Sequence, residues 1–238
     1  MIGIYDMHCH LIPDVDDGPV DMETTKALLQ KEYEQGVRNI YLTSHYRKGM
    51  FETSAEYIRQ QFELVKEEAK KIDPEFQVML GCEFHACMDM TDMLKKKARP
   101  TMGDTRCVLI EFSGRHDYKM IQERCYALLS SGYTPIIAHA ERYPVLFKKY
   151  DYLEDLIGMG AYIQMNANSI LGLDGFWMKQ FCKKVMKKDL LHFVGSDAHD
   201  LGERAPAIGA CAEYIEKVMG TEYAKRILID NPKRLAHL

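Results

Sequence analysis

The sequence lacks the features of membrane-spanning and nucleic-acid-binding proteins. No apolar run approaches the ~20 residues that a helix needs to cross a bilayer. Residues 1–10 do not join a basic segment to an apolar one, as a secretion signal does. The formal net charge of −4 provides no excess of positive charge for binding nucleic acid. We therefore expect a cytoplasmic protein that neither inserts into a membrane nor binds nucleic acid.

The cysteines and glycines lack the spacings that other chemistries require. The seven cysteines are odd in number and form no Cys-x-x-Cys pair, so we expect reduced and mostly buried thiols. None is followed by an Arg six positions later, the spacing with which a cysteine-dependent phosphatase surrounds a phosphate group. No glycine-rich loop follows the first strand candidate, which disfavours a dinucleotide-binding fold.

The sequence does contain a repeated alternation of short apolar runs and longer amphipathic segments. The runs are almost continuously hydrophobic, as are strands buried on both faces of a parallel sheet. We predict strands at residues 2–7, 37–43, 76–81, 107–112, 134–138, 161–165 and 190–195, with helices between them. No linker rich in Pro, Gly or Ser divides residues 1–238, so a single α/β domain with a closed or nearly closed parallel barrel is favoured. An open doubly wound sheet is the alternative.

Two helix starts can be predicted from capping residues. Asp21 is a suitable cap for the helix that carries Leu28 and Leu29. The segment Thr53–Glu56 has the spacing of a capping box, in which the first residue caps the following helix. We expect long amphipathic helices to begin at both places.

Metal-binding residue types follow six of the seven predicted strands. In parallel barrels the carboxyl ends of the strands form one rim, where catalytic residues lie. The residues at these ends are His8, His10, His45, Glu83, Glu111, His139, Asp197 and His199. Imidazole and carboxylate groups together suit Mn, Fe, Co or Zn. Since clustered carboxylates repel one another without a cation, this pattern predicts a metal site at the rim.

These motifs together resemble the polymerase-and-histidinol-phosphatase (PHP) superfamily, and within it the bacterial tyrosine-protein phosphatases of capsule and exopolysaccharide operons. The resemblance covers the whole chain in order. Its motifs are His8-Cys9-His10, Asp14–Pro19, Thr43-Ser44-His45 with Arg47–Thr53, Gly81-Cys82-Glu83, Leu109–Phe112, Ile137–Arg142, Ser196–His199 and Asn231-Pro232. The resemblance implies a distorted (β/α)7 TIM-like barrel, the PHP fold, as a single domain.

The resemblance also implies a cofactor and roles for individual residues. It implies three metal ions per chain, with Mn2+ expected and Fe, Co, Mg or Zn as alternatives. The implied ligands are His8, His10, Asp17, His45, Glu83, Glu111, His139, Asp197 and His199. Arg142 and Arg204 match the phosphate-binding arginines of the family. The implied substrate is phosphotyrosine on the tail of a cognate bacterial tyrosine autokinase, whose dephosphorylation regulates capsule or exopolysaccharide synthesis.

The predicted reaction is hydrolysis by a metal-activated hydroxide. A bound metal ion lowers the pKa of water from ~15.7 to about 7, which makes hydroxide available at neutral pH. Tyrosine has a pKa near ~10, so its phenolate leaves readily. Arg142 and Arg204 are expected to hold the phosphoryl oxygens. Arg47, Lys48 and Phe51 are expected to bind an acidic phosphopeptide, with a solvated loop as the alternative.

Two other functions are compatible with parts of this pattern. One is a small-molecule phosphatase, such as a histidinol phosphatase, or a phosphodiesterase of the same superfamily, because metal ligands do not choose the leaving group. The other is a non-catalytic, metal-stabilised binding module. The second is disfavoured because all nine ligand positions of the family are filled.

Overall fold

Parallel strands form the centre of the fold in the computed structural model, which describes residues 1–235. The strands are β1 (Ile4–Cys9), β2 (Val37–Leu42), β3 (His45–Tyr46), β4 (Gln77–Leu80), β5 (Glu83–His85), β6 (Cys107–Glu111), β7 (Thr134–Ile137), β8 (Tyr162–Asn166) and β9 (Phe193–Gly195). The helices are α1 (Met22–Glu34), α2 (Ala55–Ile72), α3 (Met90–Lys95), α4 (Tyr118–Ser130), α5 (Tyr150–Met159), α6 (Ala167–Leu171), α7 (Phe176–Lys187), α8 (Ile208–Met219), α9 (Thr221–Lys225) and α10 (Asn231–Leu235). A π-helical turn, Arg226–Asp230, joins the last two.

The strands form two sheets that backbone hydrogen bonds connect at both sides. One sheet has the order β1-β2-β4 and the other β3-β5-β6-β7-β8-β9, and every strand pair is parallel. On one side, the amide of Glu83 in β5 donates to the carbonyls of Thr43 and Ser44, at 3.3 and 3.1 Å, in the segment between β2 and β3. On the other side, the amide of Asp197 donates to the carbonyl of His8 at 2.7 Å, which links β1 to the segment after β9.

Each predicted strand position contains a strand, although two of them are interrupted. The segments predicted at 37–43 and 76–81 stop early and continue, after a two-residue break, as β3 and β5. The sequence analysis missed these short strands. Gly81 explains one break, since a Cβ there would lie 2.9 Å from the sulfur of Met102 and 3.0 Å from the side chain of Thr43.

One of the two predicted helix caps is confirmed and the other is wrong by one residue. The side chain of Asp21 accepts a hydrogen bond from the amide of Thr24 at 2.8 Å, as a cap does. Helix α2 is capped by Ser54, which accepts from the amide of Tyr57, and not by Thr53. The hydroxyl of Thr53 donates instead to the carbonyl of Val15 at 2.7 Å. This bond attaches the start of α2 to the Asp14–Pro19 loop.

Below the strand ends lies a cluster that we call the apolar layer. It comprises Met7, Tyr41, Leu109, Ile136 and Phe193, all of them at most 2% exposed. All strands of the two sheets run in the same direction. The residues that follow this layer in each strand therefore lie together at the carboxyl ends of the sheets. The apolar layer therefore supports the side chains at the carboxyl ends.

The remaining features agree with the composition. All seven cysteines are unpaired, and six of them are buried, as predicted. Over residues 1–235, no helix combines the length and the apolar character that crossing a membrane requires.

Candidate metal centre

The predicted ligands converge at the carboxyl ends of the strands. Three groups of side chains each offer ligand atoms that lie within 4.8 Å of one another. The groups are His10 with Asp17, His45 and His199; His8 with His10 and Asp197; and His45 with Glu83 and Glu111. The ninth residue, His139, joins them through its Nε2, which lies 2.8 Å from Oε1 of Glu83. Since His10 and His45 each belong to two groups, the three groups form one continuous cluster.

Glu83 lies at the centre of this cluster. Its Oε2 is 3.2 Å from Nε2 of His8, 3.2 Å from Nε2 of His10 and 3.0 Å from Nδ1 of His45. The side chain is fully buried, which by itself would raise the pKa of the carboxyl group. The surrounding imidazoles, led by His8 and His45, outweigh burial and hold the pKa of Glu83 well below its usual value. Glu83 is therefore a buried carboxylate surrounded by nitrogen atoms.

The two histidines of the His-x-His motif are arranged as ligands of a common ion would be. Their Nε2 atoms approach to 3.1 Å, and their other ring nitrogens have separate partners. Nδ1 of His8 lies 3.3 Å from Oε1 of Gln164, and Nδ1 of His10 lies 2.9 Å from Oδ2 of Asp16. Metal-binding histidines usually have such an outer partner, which fixes the ring and its tautomer.

Several buried polar atoms in the cluster lack a well-aligned hydrogen bond, as atoms that bind a cation would. They are Oε2 of Glu83, Nδ1 of His139 and Nε2 of His199. Burial, with the positive charge of His10, lowers the pKa of His199 to about 4. His199 is therefore a neutral imidazole near pH 7, which is the form that binds a metal ion. The donor set and these unsatisfied atoms both fit divalent cations.

Sequence analysis missed two of the side chains that support the ligands. Asp16 is buried and accepts from the amide of His45 at 2.8 Å in addition to its contact with His10. Gln164 accepts from the amide of His139 at 2.6 Å. A glutamine inside the apolar run of β8 was the available signal for its role. Asp16 could not be distinguished from the adjacent Asp17 by sequence.

A carboxyl pair lies directly behind the ligands. Asp6 accepts hydrogen bonds from the amide and the hydroxyl of Ser196, at 2.8 and 2.5 Å, and from the amide of His8 at 3.2 Å. Burial raises the pKa of Asp6 and, together with the charge of Asp6, raises the pKa of Glu32 well above its usual value. Both shifts favour the uncharged form of a carboxyl group, because burial disfavours a second negative charge there. Asp6 ties β1 to Ser196, the residue that follows β9.

Two of the predicted ligand residues have left-handed backbone conformations. His139 has φ 30° and Asp197 has φ 54°. Residues other than glycine rarely adopt positive φ, and such conformations persist where the surrounding structure enforces them. The amide of His139 is held by Gln164, and the amide of Asp197 is held by the carbonyl of His8.

The two predicted phosphate-binding arginines border the cluster. Nη1 of Arg142 donates to Oδ2 of Asp197 at 2.8 Å, and Nη1 of Arg204 donates to Oδ2 of Asp17 at 3.0 Å. Their side chains are 40% and 39% exposed. The guanidinium groups therefore reach solvent at the edge of the cluster, where an incoming anion would meet them.

The Arg47–Phe51 segment forms an ordered turn beside the cluster. The backbones of Arg47 and Phe51 exchange hydrogen bonds of 3.0 and 2.8 Å. The ring of Phe51 stacks on His45 with centroids 5.0 Å apart. Nζ of Lys48 points to Asp89, 3.8 Å away. Phe51 thus contacts a predicted ligand directly, whereas the charge of Lys48 is directed to another loop.

The sequence model of the family "Capsular polysaccharide synthesis, CpsB/CapC" matches residues 4–237. The chain belongs to the CpsB/CapC family. Within it, the tyrosine-protein phosphatase CpsB of Streptococcus pneumoniae is 40% identical over 235 residues, which cover 97% of each chain. The tyrosine-protein phosphatase YwqE of Bacillus subtilis (strain 168) is 30% identical over 217 residues, covering 91% of this chain and 85% of YwqE.

Solved structures extend the similarity to the fold. A chain from the crystal structures of YwqE from Bacillus subtilis and CpsB from Streptococcus pneumoniae, described as unique metal-dependent tyrosine phosphatases, superposes with a TM-score of 0.90 at 29% identity. The match covers 98% of this chain and 94% of that one. The phosphotriesterase of Mycobacterium tuberculosis has a TM-score of 0.62 at 15% identity, which shows a shared fold alone. The family predicted from the motifs is therefore confirmed.

Proposed function

We propose that this CpsB/CapC-family chain is a metal-dependent protein tyrosine phosphatase. The observation that carries the proposal is the convergence of three groups of ligand atoms and two guanidinium groups at one edge of the strands. Histidine and carboxylate side chains bind divalent cations, and paired arginines bind the oxygens of a phosphoryl group. The sequence relatives named tyrosine-protein phosphatases support phosphotyrosine as the substrate.

We propose that the cluster holds three ions and that the ions are Mn2+. His10 would ligate through Nε2, since its Nδ1 faces Asp16, and His139 would act beside Glu83. Fe, Co, Mg and Zn are the alternatives that the same ligand types allow. Bound cations neutralise the oxygens of the phosphoryl group and lower the pKa of a water molecule.

The side chains at the edge of the cluster would bind the substrate and stabilise charge during the reaction. Arg142 and Arg204 would hold phosphoryl oxygens that point away from the ions, since both guanidinium groups are partly exposed beside Asp197 and Asp17. Preorganised donors of this kind stabilise the charge that develops during phosphoryl transfer. Phe51 would limit access from the side of His45, against which its ring stacks.

We also propose that the strands be counted as a distorted (β/α)7 barrel. Strands β2 with β3 and β4 with β5 would each form one interrupted strand, which gives seven. The hydrogen bonds between the ends of β1 and β9 support closure over an open doubly wound sheet. Residues 1–238 would then form one domain.

The physiological substrate is proposed to be a phosphotyrosine protein, namely the tail of a cognate bacterial tyrosine autokinase. Its dephosphorylation would regulate capsule or exopolysaccharide synthesis, in keeping with the description of the family. The unpaired cysteines suit the reducing conditions of the cytoplasm, where we place the reaction.

A substrate panel tests the proposal. We would measure phosphate release from a phosphotyrosine peptide, a phosphoserine peptide, histidinol phosphate and a nucleotide, each with manganese and with a chelator. We expect manganese-dependent hydrolysis of phosphotyrosine that the chelator abolishes. Preference for histidinol phosphate would indicate the small-molecule phosphatase, and binding of phosphotyrosine without turnover would indicate a binding module. Activity that resists the chelator would refute the metal centre.

A further inference from the structure

An exposed apolar surface lies next to the metal centre, on the loop between α6 and α7 and on the first turn of α7. Leu173, Phe176 and Trp177 are 70%, 63% and 65% exposed. Trp177 is the single tryptophan of the sequence, and its ring packs against Phe176 with centroids 5.2 Å apart. Large exposed apolar residues that cluster in this way mark interaction sites more often than isolated ones do. We call these three residues the 173–177 shelf.

The shelf is directly connected to the metal centre. Asp174, within the shelf segment, lies 4.0 Å from Nη2 of Arg142 and accepts a hydrogen bond from Ser169 at 2.6 Å. Asn166, the last residue of β8 before α6, donates through its side chain to Oδ2 of Asp197 at 2.8 Å. The shelf and the predicted phosphate-binding side chain therefore belong to one continuous edge.

The charges around the shelf favour an acidic partner. Nζ of Lys148 lies over the ring of Trp177, 4.9 Å from its centroid, and 5.2 Å from that of Phe147. Helix α7 begins at Phe176 behind Gly175, which has no side chain to accept from the first-turn amides. The start of a helix carries partial positive charge and attracts carboxylates. An apolar surface with a lysine and an uncapped helix start is complementary to a peptide that carries both apolar and acidic residues.

The shelf lies close enough to Arg142 for residues near a phosphotyrosine to reach it. Asp174, the neighbour of Leu173 in the chain, lies 4.0 Å from Nη2 of Arg142, and an extended peptide advances ~3.3–3.6 Å per residue. A peptide whose phosphate contacts Arg142 would therefore place the side chains one to three positions away over the shelf. Trp is also the residue type that most often dominates binding energy at interfaces.

We propose that the 173–177 shelf binds the polypeptide that flanks the phosphotyrosine and selects apolar or aromatic residues accompanied by acidic ones. This inference rests on the proposed phosphatase function and adds a specificity-determining surface to it. The shelf lies on the Arg142 side of the metal centre, whereas Arg47, Lys48 and Phe51 belong to the turn after His45. The two surfaces would hold the substrate from different sides.

The test compares three substrates of the manganese-loaded enzyme: O-phosphotyrosine, a phosphotyrosine peptide with glutamate and phenylalanine one to three positions away, and the same peptide with glycine and serine there. Trp177→Ala should raise KM for the acidic, aromatic peptide about tenfold with little change in kcat. It should leave kcat/KM for O-phosphotyrosine unchanged. Phe176→Ala should act in the same direction. Tyr126→Ala is the matched control, because Tyr126 is an aromatic residue on α4 that is 66% exposed.

A second measurement uses the single tryptophan as a reporter. Adding the dephosphorylated acidic, aromatic peptide to the manganese-loaded enzyme should shift tryptophan emission to shorter wavelength and inhibit turnover competitively. An unchanged KM in Trp177→Ala, or an equal loss with O-phosphotyrosine, would overturn the shelf proposal. So would a wild-type dimer that becomes a monomer in Trp177→Ala without a change in KM, since a second copy would then cover the shelf. Wild-type enzyme that fails to hydrolyse O-phosphotyrosine with manganese would instead refute the proposed function itself.

Discussion

Strands β6, β7 and β9 each contribute to two layers of opposite chemistry. Leu109, Ile136 and Phe193 enter the apolar layer. A few residues later, the same strands lead to Glu111, His139 and Asp197 in the metal centre. The apolar layer contributes to stability at any pH, because burying apolar surface does not depend on charge. The metal centre gathers buried charges, which are costly without counter-charges. Stability and function are thus separated along each strand, and substitutions in the two layers should have separable effects.

Removing the central carboxylate should have the largest effect. Glu83→Gln keeps the shape of the side chain but removes the charge that lies among three imidazoles. We expect kcat/KM for O-phosphotyrosine to fall by about 10³-fold, since metal ions supply several kcal/mol of charge stabilisation. Glu32→Gln is the matched control, because Glu32 is also fully buried, but burial and the charge of Asp6 raise the pKa of its carboxyl group well above its usual value. Similar losses in both variants would contradict the central role of Glu83.

Truncation in the apolar layer should change stability and leave the chemistry alone. Leu109 is fully buried, so Leu109→Ala should lower the free energy of unfolding by about 3 kcal/mol. Urea unfolding measures this change, and kcat/KM per folded molecule should remain within about twofold of the wild type. Leu64→Ala, at a half-exposed position of α2, should cost less than about 0.5 kcal/mol. If Leu109→Ala abolished turnover of the folded protein, the two layers would not be separable.

The support behind the ligands should have an intermediate effect. Asp16→Asn removes the charge that faces Nδ1 of His10, so manganese affinity should fall about 10–100-fold. Isothermal titration calorimetry measures this affinity. Asp14→Asn is a control in the same loop, because Asp14 is exposed and bonds to the hydroxyl of Tyr57. Equal affinities in the wild type and Asp16→Asn would show that Asp16 does not support the ligand.

The smallest expected effect concerns His192, a titratable residue directly before β9 and next to Phe193 of the apolar layer. Burial, aided by Arg226, lowers its pKa from 6.5 to about 4, and its Nδ1 accepts from the amide of Ile163. Between these pH values the unfolded chain binds a proton that the native state does not, so acidification favours unfolding. From pH 7 to pH 5, the metal-free wild type should lose about 1–2 kcal/mol more stability than His192→Gln. Parallel pH profiles of the two proteins would disprove this assignment.

The sequence predicted the strands and the convergence of the candidate ligand residues better than it predicted the contacts that support those residues. Apolar runs located every long strand because buried parallel strands have an unmistakable composition. His-x-His and Ser-Asp-Ala-His stand at strand ends, so their convergence followed from topology alone. The short strands β3 and β5 were missed because runs of two or three residues carry no periodicity.

The contacts that support the candidate ligands join residues from different segments, and local sequence motifs do not show which of these residues will meet. Asp16 and Asp17 are neighbours in sequence, yet Asp16 is buried against His10 while Asp17 is half-exposed beside Arg204. Thr53 satisfied the pattern of a capping box, but the carbonyl of Val15 competes for its hydroxyl. The 173–177 shelf was not predicted, because exposed apolar residues in a helical segment look like a buried face until the structure shows that nothing covers them.

The left-handed backbones of His139 and Asp197 limit how such a protein can adapt to heat. Glycine is the residue that each backbone would tolerate best, yet glycine at either place would delete a predicted ligand. Each conformation costs about 1–3 kcal/mol, which no substitution at these positions can recover while the ligand is kept. Heat-adapted versions of the chain must therefore acquire stability elsewhere, for instance on the solvent-facing sides of the helices. Their sequences should diverge there while these two positions remain unchanged.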